Sequence, residues 1–323
     1  MPKVDIVVPC YNYGRFLTAC VRSVLDQSVR DLRVLIIDDA STDDSLALAN
    51  DLARDDGRVS VVTHSQNRGH IATYNEGIAW ASGDYFLLLS ADDLLVPGAL
   101  ERATRIMDEN PGVVLTHGNC ITWHDDQPFP ALEPKPDYTW KRHDLLQEIC
   151  KTAVNSVPTP TAIGRTKIQQ LIGGYRPSLP HAGDLEMWLR YAAHGSIAQI
   201  SAVQAIYRKH TTAMSNSYYR RMLSDYQQCQ QAFDSFFEEY GDDLPDSAGL
   251  RSAARRALAK RTFRSGLGQF RRGQVLEGLQ LVRAAAAIGY PSVRRSARRN
   301  PQQHASDIHD RHHQALRIDR GRS

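Results

Sequence analysis

The chain has 323 residues, 42% of them hydrophobic and 23% charged, which excludes a disordered, collagen-like or disulfide-scaffold protein and leaves room for one large domain plus a smaller one. The net charge of +3 hides a split: from Arg251 onward there are 17 Lys and Arg against 4 Asp and Glu, whereas the first 250 residues carry 22 against 32. A C-terminal quarter this basic suits an anionic lipid surface, a nucleic acid or an acidic partner, with a solvated helical face as the plain alternative.

The five cysteines (Cys10, Cys20, Cys120, Cys150 and Cys229) are scattered and include no C-x-x-C pair. That pattern argues for a reduced, cytoplasmic setting rather than a disulfide framework or zinc site. The opening "MPKVDIVVPCYN" lacks the apolar length and cleavage site of a signal peptide, and no stretch reaches the roughly 18 apolar residues of a spanning helix.

In chain order, "VDIVVP" (Val4–Pro9) reads as a short buried strand, followed by Phe16, Leu17, Cys20, Val21, Val24 and Leu25 at helical spacing. "RVLIID" (Arg33–Asp38) is a second strand. "STDD" (Ser41–Asp44) resembles a capping box opening a second helix. "RVSVVTH" (Arg58–His64) gives a third strand and Ile71–Trp80 a third helix, stopped near Gly83. "DYFLLLS" is the fourth strand and "GVVLTHGNC" (Gly112–Cys120) the fifth. Strands alternating with helices at this interval predict an α/β fold with a mostly parallel sheet covered on both faces.

His124–Trp140, with Pro128, Pro130, Pro134 and Pro136, reads as a loop, either a lid on the acceptor side or a plain surface excursion. Leu185, Trp188, Leu189 and Ala192 share a helical face, with Asp184 at that helix's N-terminus. Beyond Ser215 the pattern is helical, with Phe233, Phe236 and Phe237 as core candidates and Gly273–Gly289 as a last helix. After Tyr290 the chain is Arg-rich and then His-rich (His304, His309, His312, His313), the composition of a disordered tail.

In such sheets ligands bind beyond the carboxyl ends of the strands. Three polar clusters fall there: Tyr11 and Asn12 on strand one, with Pro9 before them as a further nucleotide-binding candidate, Asp38 and Asp39 on strand two, Asp92 and Asp93 on strand four. Asp39 and Asp93 as mere helix caps is the competing explanation. Two acidic pairs at equivalent strand ends, with an aromatic beside them, favour a site. Two carboxylates about 5 Å apart repel by about 3 kcal/mol at an effective dielectric near 20, so such a pair is kept where a cation sits. Hard oxygen donors in an open crevice suit Mg²⁺ or Mn²⁺, which complete their shells with substrate phosphate. Tyr11 can stack on a nucleobase, and Asp39 can accept from a base N–H or ribose hydroxyls.

The stretches "IVVPCYN", "IIDDASTDDS", "NRGHIATYNEGIAWASGDYFLLLSADDLLVP", "GDLEMWLR" and "YRKH", in this order over about the first 215 residues, resemble a family-2 glycosyltransferase of the GT-A fold. The resemblance implies an inverting transfer from a nucleoside diphosphate sugar, a UDP-sugar before dTDP or GDP, to a hydroxyl acceptor. It implies Tyr11 and Asp39 on the nucleobase with Asp38 nearby, Asp92 and Asp93 as the metal-binding acidic motif, and Asp184 as the base. His210 joins the metal and diphosphate end, with Arg208 and Trp188 as further contacts to diphosphate or acceptor. The family's usual acid two positions before the pair is Ser90 here. That leaves the principal ligand open between Asp93, preferred for the metal, and Asp92, preferred for ribose or metal.

The expected organisation is a catalytic domain over 1–214 (nucleotide half about 1–120, acceptor half about 121–214), a helical region over 215–290 and the basic tail over 291–323. The acceptor class spans saccharide, lipid-linked saccharide and protein, as in cell-surface polysaccharide or glycoconjugate synthesis, and nucleic acid is not an expected partner. The basic C-terminal helices suggest either peripheral docking on the inner face of a membrane or a homodimer contact. A catalytically degenerate scaffold of the same fold is the alternative, and the absence of G-x-G-x-x-G argues against a dehydrogenase.

Overall fold

Residues 4–133, 137–213 and 222–289 are described by a computed structural model of the chain. Strand β1 (Val4–Cys10) is flanked on both sides, and its side chains alternate between two apolar layers: Val4, Ile6 and Val8 enter one, Val7 the other. β2 (Leu32–Asp38) repeats the pattern with Val34 and Ile36 against Leu35 and Ile37. This explains why both strands read as continuous apolar runs: a strand buried on both faces has no polar side.

β3 (Val59–Thr63) and β4 (Tyr85–Leu88) complete a parallel half in the order β3-β2-β1-β4. The chain leaves β1 toward β2 and later crosses to β4 on the other side of β1, which opens a crevice at the strands' carboxyl ends. Helices α1 (Gly14–Leu25), α2 (Ser45–Asp55) and α4 (Ala99–Glu109) pack on one face. α3 (His70–Trp80) packs on the other, with Ile78 in the second layer.

The second half departs from the mostly parallel sheet expected. β8 (Ile163–Arg165) inserts between β4 and β6 (Val113–His124), antiparallel to both. The 14-residue β9 (Ser196–Lys209) runs parallel to β6 and antiparallel to β5 (Leu94–Leu95) and β7 (Trp140–His143). Among the described residues four ladders are parallel and four antiparallel, so the sheet is mixed. β5 and β8 are too short to leave an alternation, and β9 was not anticipated.

The capping box at Ser41–Asp44 also takes another form. Ser41 Oγ accepts from Asn12 N at 2.9 Å, while Asp43 accepts from Ser45 N at 3.0 Å and Gly14 N at 3.1 Å. The segment ties β1 to β2 as well as starting α2.

α5 (Leu145–Thr152), α6 (Thr166–Ile172) and α7 (Gly183–His194) close the second face. α8 (Met222–Tyr240), α9 (Ser247–Arg271) and α10 (Val275–Gly289) follow. Phe233, Phe236 and Phe237 of α8 and Leu258 of α9 share an apolar layer with Ile149, Leu185 and Leu189. These helices thus belong to the same compact unit as the sheet. The basic stretch 291–323, with its four histidines, lies outside the described residues. No helix among the described residues is long and apolar enough to cross a membrane.

Candidate active site

A crevice of about 1190 Å³ opens where the topology places it, lined by Pro9, Tyr11 and Asn12 from β1 and its exit, by Asp39 after β2, by Asp92 and Asp93 after β4, and by Asp184 at the start of α7. Seven of the residues singled out from sequence are thereby brought to one cavity.

Tyr11 is 45% exposed, so one ring face is available for stacking. Asn12 sits in the left-handed region (φ 57°) and accepts from Thr42 N at 2.7 Å, fastening the end of β1 to the loop after β2. Asp39 is the hub of the donor end. Its Oδ1 accepts from Arg68 N (2.7 Å) and meets His64 Nδ1 (2.6 Å), and its Oδ2 accepts from Gly69 N (2.9 Å). Burial pushes the Asp39 carboxyl up, but the Arg68 amide, the His64 ring and the Gly69 amide together hold it below the ordinary carboxylate range. Gly69 donates this bond at φ 81°, a conformation that suits glycine and turns the chain into α3. His64 Nε2 in turn reaches Glu76 Oε2 at 3.0 Å, and Arg68 Nη1 reaches the same oxygen at 2.7 Å.

Asp38 does not line the crevice. It is 1% exposed, with Oδ2 accepting from Ser41 N (3.2 Å) and Thr63 Oγ1 (3.3 Å), and it stabilises the turn that presents Asp39. Period two explains this: neighbouring residues leaving a strand point opposite ways.

Asp92 and Asp93 are 7% and 3% exposed. Asp92 Oδ2 lies 3.0 Å from His210 Nε2, and Asp93 Oδ1 accepts from Arg208 N at 3.0 Å. Burial first, and then the charge of Asp92, push the Asp93 carboxyl well above its ordinary range. Arg208 lies beneath the pair: its guanidinium is 4.6 Å from the Phe16 ring centre and 4.4 Å from that of Trp123, and Nε donates to Asp92 O at 2.9 Å. It supports the acidic turn and is not among the lining residues. His210 is 5% exposed, tilted against Phe16, with Nδ1 2.9 Å from Thr212 Oγ1 and 3.3 Å from Arg15 Nη2.

Among the described residues no three His, Cys, Asp or Glu side chains converge into a ready metal cage. The donor set nevertheless fits an ion of the magnesium type. Asp92 and Asp93 line the crevice, whereas His210, its side chain fully buried behind Asp92, is not among the lining residues; a buried pair of like charges is relieved by a cation whose remaining shell comes from phosphate.

Asp184 occupies the first turn of α7 and is half-buried. Thr159 Oγ1 donates to its Oδ2 at 2.7 Å, and Tyr175 OH donates to its Oδ1 at 3.0 Å. Burial raises the Asp184 carboxyl; these two hydroxyls and the His70 ring oppose the rise without cancelling it. Each oxygen keeps a second lone pair, so the carboxylate is oriented and still able to accept a proton. Trp188, one turn further along α7, is 4% exposed within the apolar layer and does not reach the crevice.

Sequence reasoning missed His64, Arg68, Thr159 and Tyr175. His64 carried a usable signal, a polar residue directly after a strand whose neighbour ends in Asp38–Asp39. Tyr175, within "GGYRP", carried none.

A parallel half-sheet with an acidic crevice at its switch point is the arrangement of an α/β protein of the GT-A kind. The model of the family described as "Glycosyl transferase family 2" matches residues 5–169, and the chain belongs to that family. An uncharacterized glycosyltransferase of Haemophilus influenzae is 25% identical over 223 residues, covering 67% of this chain and 68% of the relative. The GalNAc(5)-diNAcBac-PP-undecaprenol beta-1,3-glucosyltransferase of Campylobacter jejuni is 32% identical over 122 residues, covering 38% of this chain and 39% of its own length. Among solved structures, S. aureus TarS 1-349 in complex with UDP-GlcNAc superposes with a TM-score of 0.57 at 17% identity, over 90% of this chain and 93% of TarS 1-349. The mannosyltransferase PcManGT of Pyrobaculum calidifontis, in complex with GDP-Man and Mn²⁺, gives 0.54 at 15% identity over 91% and 88%. At these identities the structures establish the shared fold.

Proposed function

We propose that this protein is an inverting glycosyltransferase that moves a sugar from a nucleoside diphosphate sugar, with UDP as the favoured nucleotide, to an acceptor hydroxyl. The acceptor is a saccharide, a lipid-linked saccharide or a protein, in the synthesis of a cell-surface polysaccharide or glycoconjugate. The observation that carries this reading is the crevice itself, lined by an exposed aromatic, an amide-bound carboxylate, an acidic pair and a separate oriented carboxylate. UDP-GlcNAc in the TarS complex and the undecaprenol-linked saccharide acceptor named for the Campylobacter relative support the donor and acceptor classes.

In this reading Tyr11 stacks on the base, Asp39 accepts from it, and Pro9 and Asn12 shape the wall. Asp92, Asp93 and His210 are the residues that would hold a divalent ion, with Arg208 compensating the acidic turn from beneath. The Mn²⁺ found with GDP-Man in PcManGT supports a divalent ion as the class of cofactor. When bound, the ion would supply positive charge against the departing diphosphate. Asp184 takes the proton of the acceptor hydroxyl as that oxygen attacks the anomeric carbon. Its fixed orientation on Thr159 and Tyr175 keeps the receiving lone pair aimed. In this reading Asp184 acts as the one base, on the face opposite the leaving group, while Asp39, Asp92 and Asp93 serve the nucleotide and the ion. A single displacement follows, with inversion at the sugar.

Calorimetric titration with UDP, GDP and dTDP, each with Mn²⁺ and with EDTA, tests the donor side. One nucleotide should bind in a metal-dependent way, and Asp93→Ala should weaken it. Absence of binding by all three would refute the reading.

A further inference from the structure

Eight large apolar side chains among the described residues are exposed, and five of them, Phe263, Leu267, Val275, Leu276 and Leu279, sit on the α9–α10 hairpin. Their exposures run from 40% at Leu267 to 73% at Leu276. They fall on the hairpin's outer side. Its inner side is occupied by Ala254 and Leu258 of α9 and by Leu281 and Ile288 of α10, which join the core. The two helices touch at Gly266 and Gly278, where a Cβ on Gly278 would stand 3.0 Å from Gly266 O. At about 100° per residue, Phe263 and Leu267 turn past that contact on α9 in the direction away from the core. Val275 and Leu279 do the same on α10. The antiparallel pair thus presents one continuous apolar strip.

The strip lies in a strongly basic setting. Residues 247–289 contain nine Lys and Arg and a single acid, Glu277. By the same helical count, Arg256, Lys260 and Arg283 share the outer side. Two copies of this face would bring like charge against like charge, which disfavours self-association. A nucleic acid would engage the arginines and leave Leu276 and Leu279 without a role.

We propose that the outer face of the α9–α10 hairpin docks on an anionic lipid bilayer. Phe263, Leu267, Val275, Leu276 and Leu279 enter the headgroup layer, and the flanking Arg and Lys side chains meet lipid phosphates. Membrane docking is independent of the catalytic reading, since none of these residues lines the crevice.

The test is co-sedimentation of the full chain with vesicles of phosphatidylcholine alone and with a quarter phosphatidylglycerol. The wild type should partition onto the anionic vesicles and stay free of the neutral ones. Leu276→Asp with Leu279→Asp should lower the partition coefficient by about tenfold or more. Arg256→Glu with Lys260→Glu should do likewise. Both variants alter exposed helical positions, and an unchanged melting temperature and unchanged nucleotide binding control for folding. Equal sedimentation of wild type and the Leu276/Leu279 variant overturns the proposal. So does a wild-type dimer that this variant splits while neither form binds vesicles, which would make the strip a self-interface.

Discussion

Replacing Asp184 by Asn exposes the base assignment most directly. The amide keeps the size of the carboxylate, and both neighbours, Thr159 Oγ1 and Tyr175 OH, are hydroxyls that can rotate to accept from its NH₂ group. The fold around α7 should therefore survive, and the nucleotide end of the crevice is untouched. What disappears is a proton acceptor in the transition state. General-base catalysis is worth about 10²–10⁴-fold, or roughly 3–5 kcal/mol at 1.36 kcal/mol per tenfold. The loss should appear in kcat, with nucleotide affinity by calorimetry unchanged. Tyr175→Phe is the companion. Burial already raises the Asp184 carboxyl, and the Tyr175 hydroxyl is one of the groups opposing that rise. Without it the carboxyl rises further, so the acidic limb of the kcat–pH profile should move to higher pH. An Asp184→Asn enzyme within about twofold of wild-type turnover would refute this chemistry, since general-base removal costs far more.

At the opposite end of β1, Asp5 is fully buried and accepts from Arg33 Nε and Nη2 and from the amides of Ser82 and Gly83. Asp5→Ala should cost about 3 kcal/mol in denaturant unfolding, the low end for a broken buried pair because a third of Arg33 reaches solvent. A loss below about 1 kcal/mol would contradict it. The Asp39–His64 contact makes stability pH-dependent from both sides. The depressed Asp39 contributes stability that is present above its unfolded pKa and lost as pH falls through the folded one. Burial lowers His64, but Asp39 and Glu76 outweigh it and raise the ring. Its contribution is therefore complete below the unfolded value and lost as pH rises through the folded one. His64→Phe should flatten the alkaline side of a melting-temperature profile across neutral pH. An unchanged slope would show that the contact is energetically silent.

The parallel half was legible because β1, β2 and β4 are buried on both faces and so leave unbroken apolar runs. The residues that line the crevice were legible because it opens at the strand ends, where the apolar pattern breaks. The same logic over-reached at Asp38, which the strand's alternation turns inward, and at Trp188, whose helical face is core rather than crevice. The antiparallel half was hidden for a different reason. A two-residue strand such as β5 and a three-residue one such as β8 exist because a neighbour pairs with them, not through any local periodicity. Thr159 and Tyr175 were likewise out of reach, since only tertiary structure brings them to Asp184.

β9 has a consequence for how this chain is made. It lies between β6 and β5, with Leu94 paired to Ile206. The segment matched by the family model ends at residue 169, well before β9 begins at Ser196. A chain emerging from the ribosome would thus display the whole of that matched segment while its sheet still had an open slot and β5 waited for a partner. The segment matched by the family model is shorter than the stretch of chain that completes the sheet. A fragment cut at the end of that segment should leave strand edges bare and associate with its own kind through them.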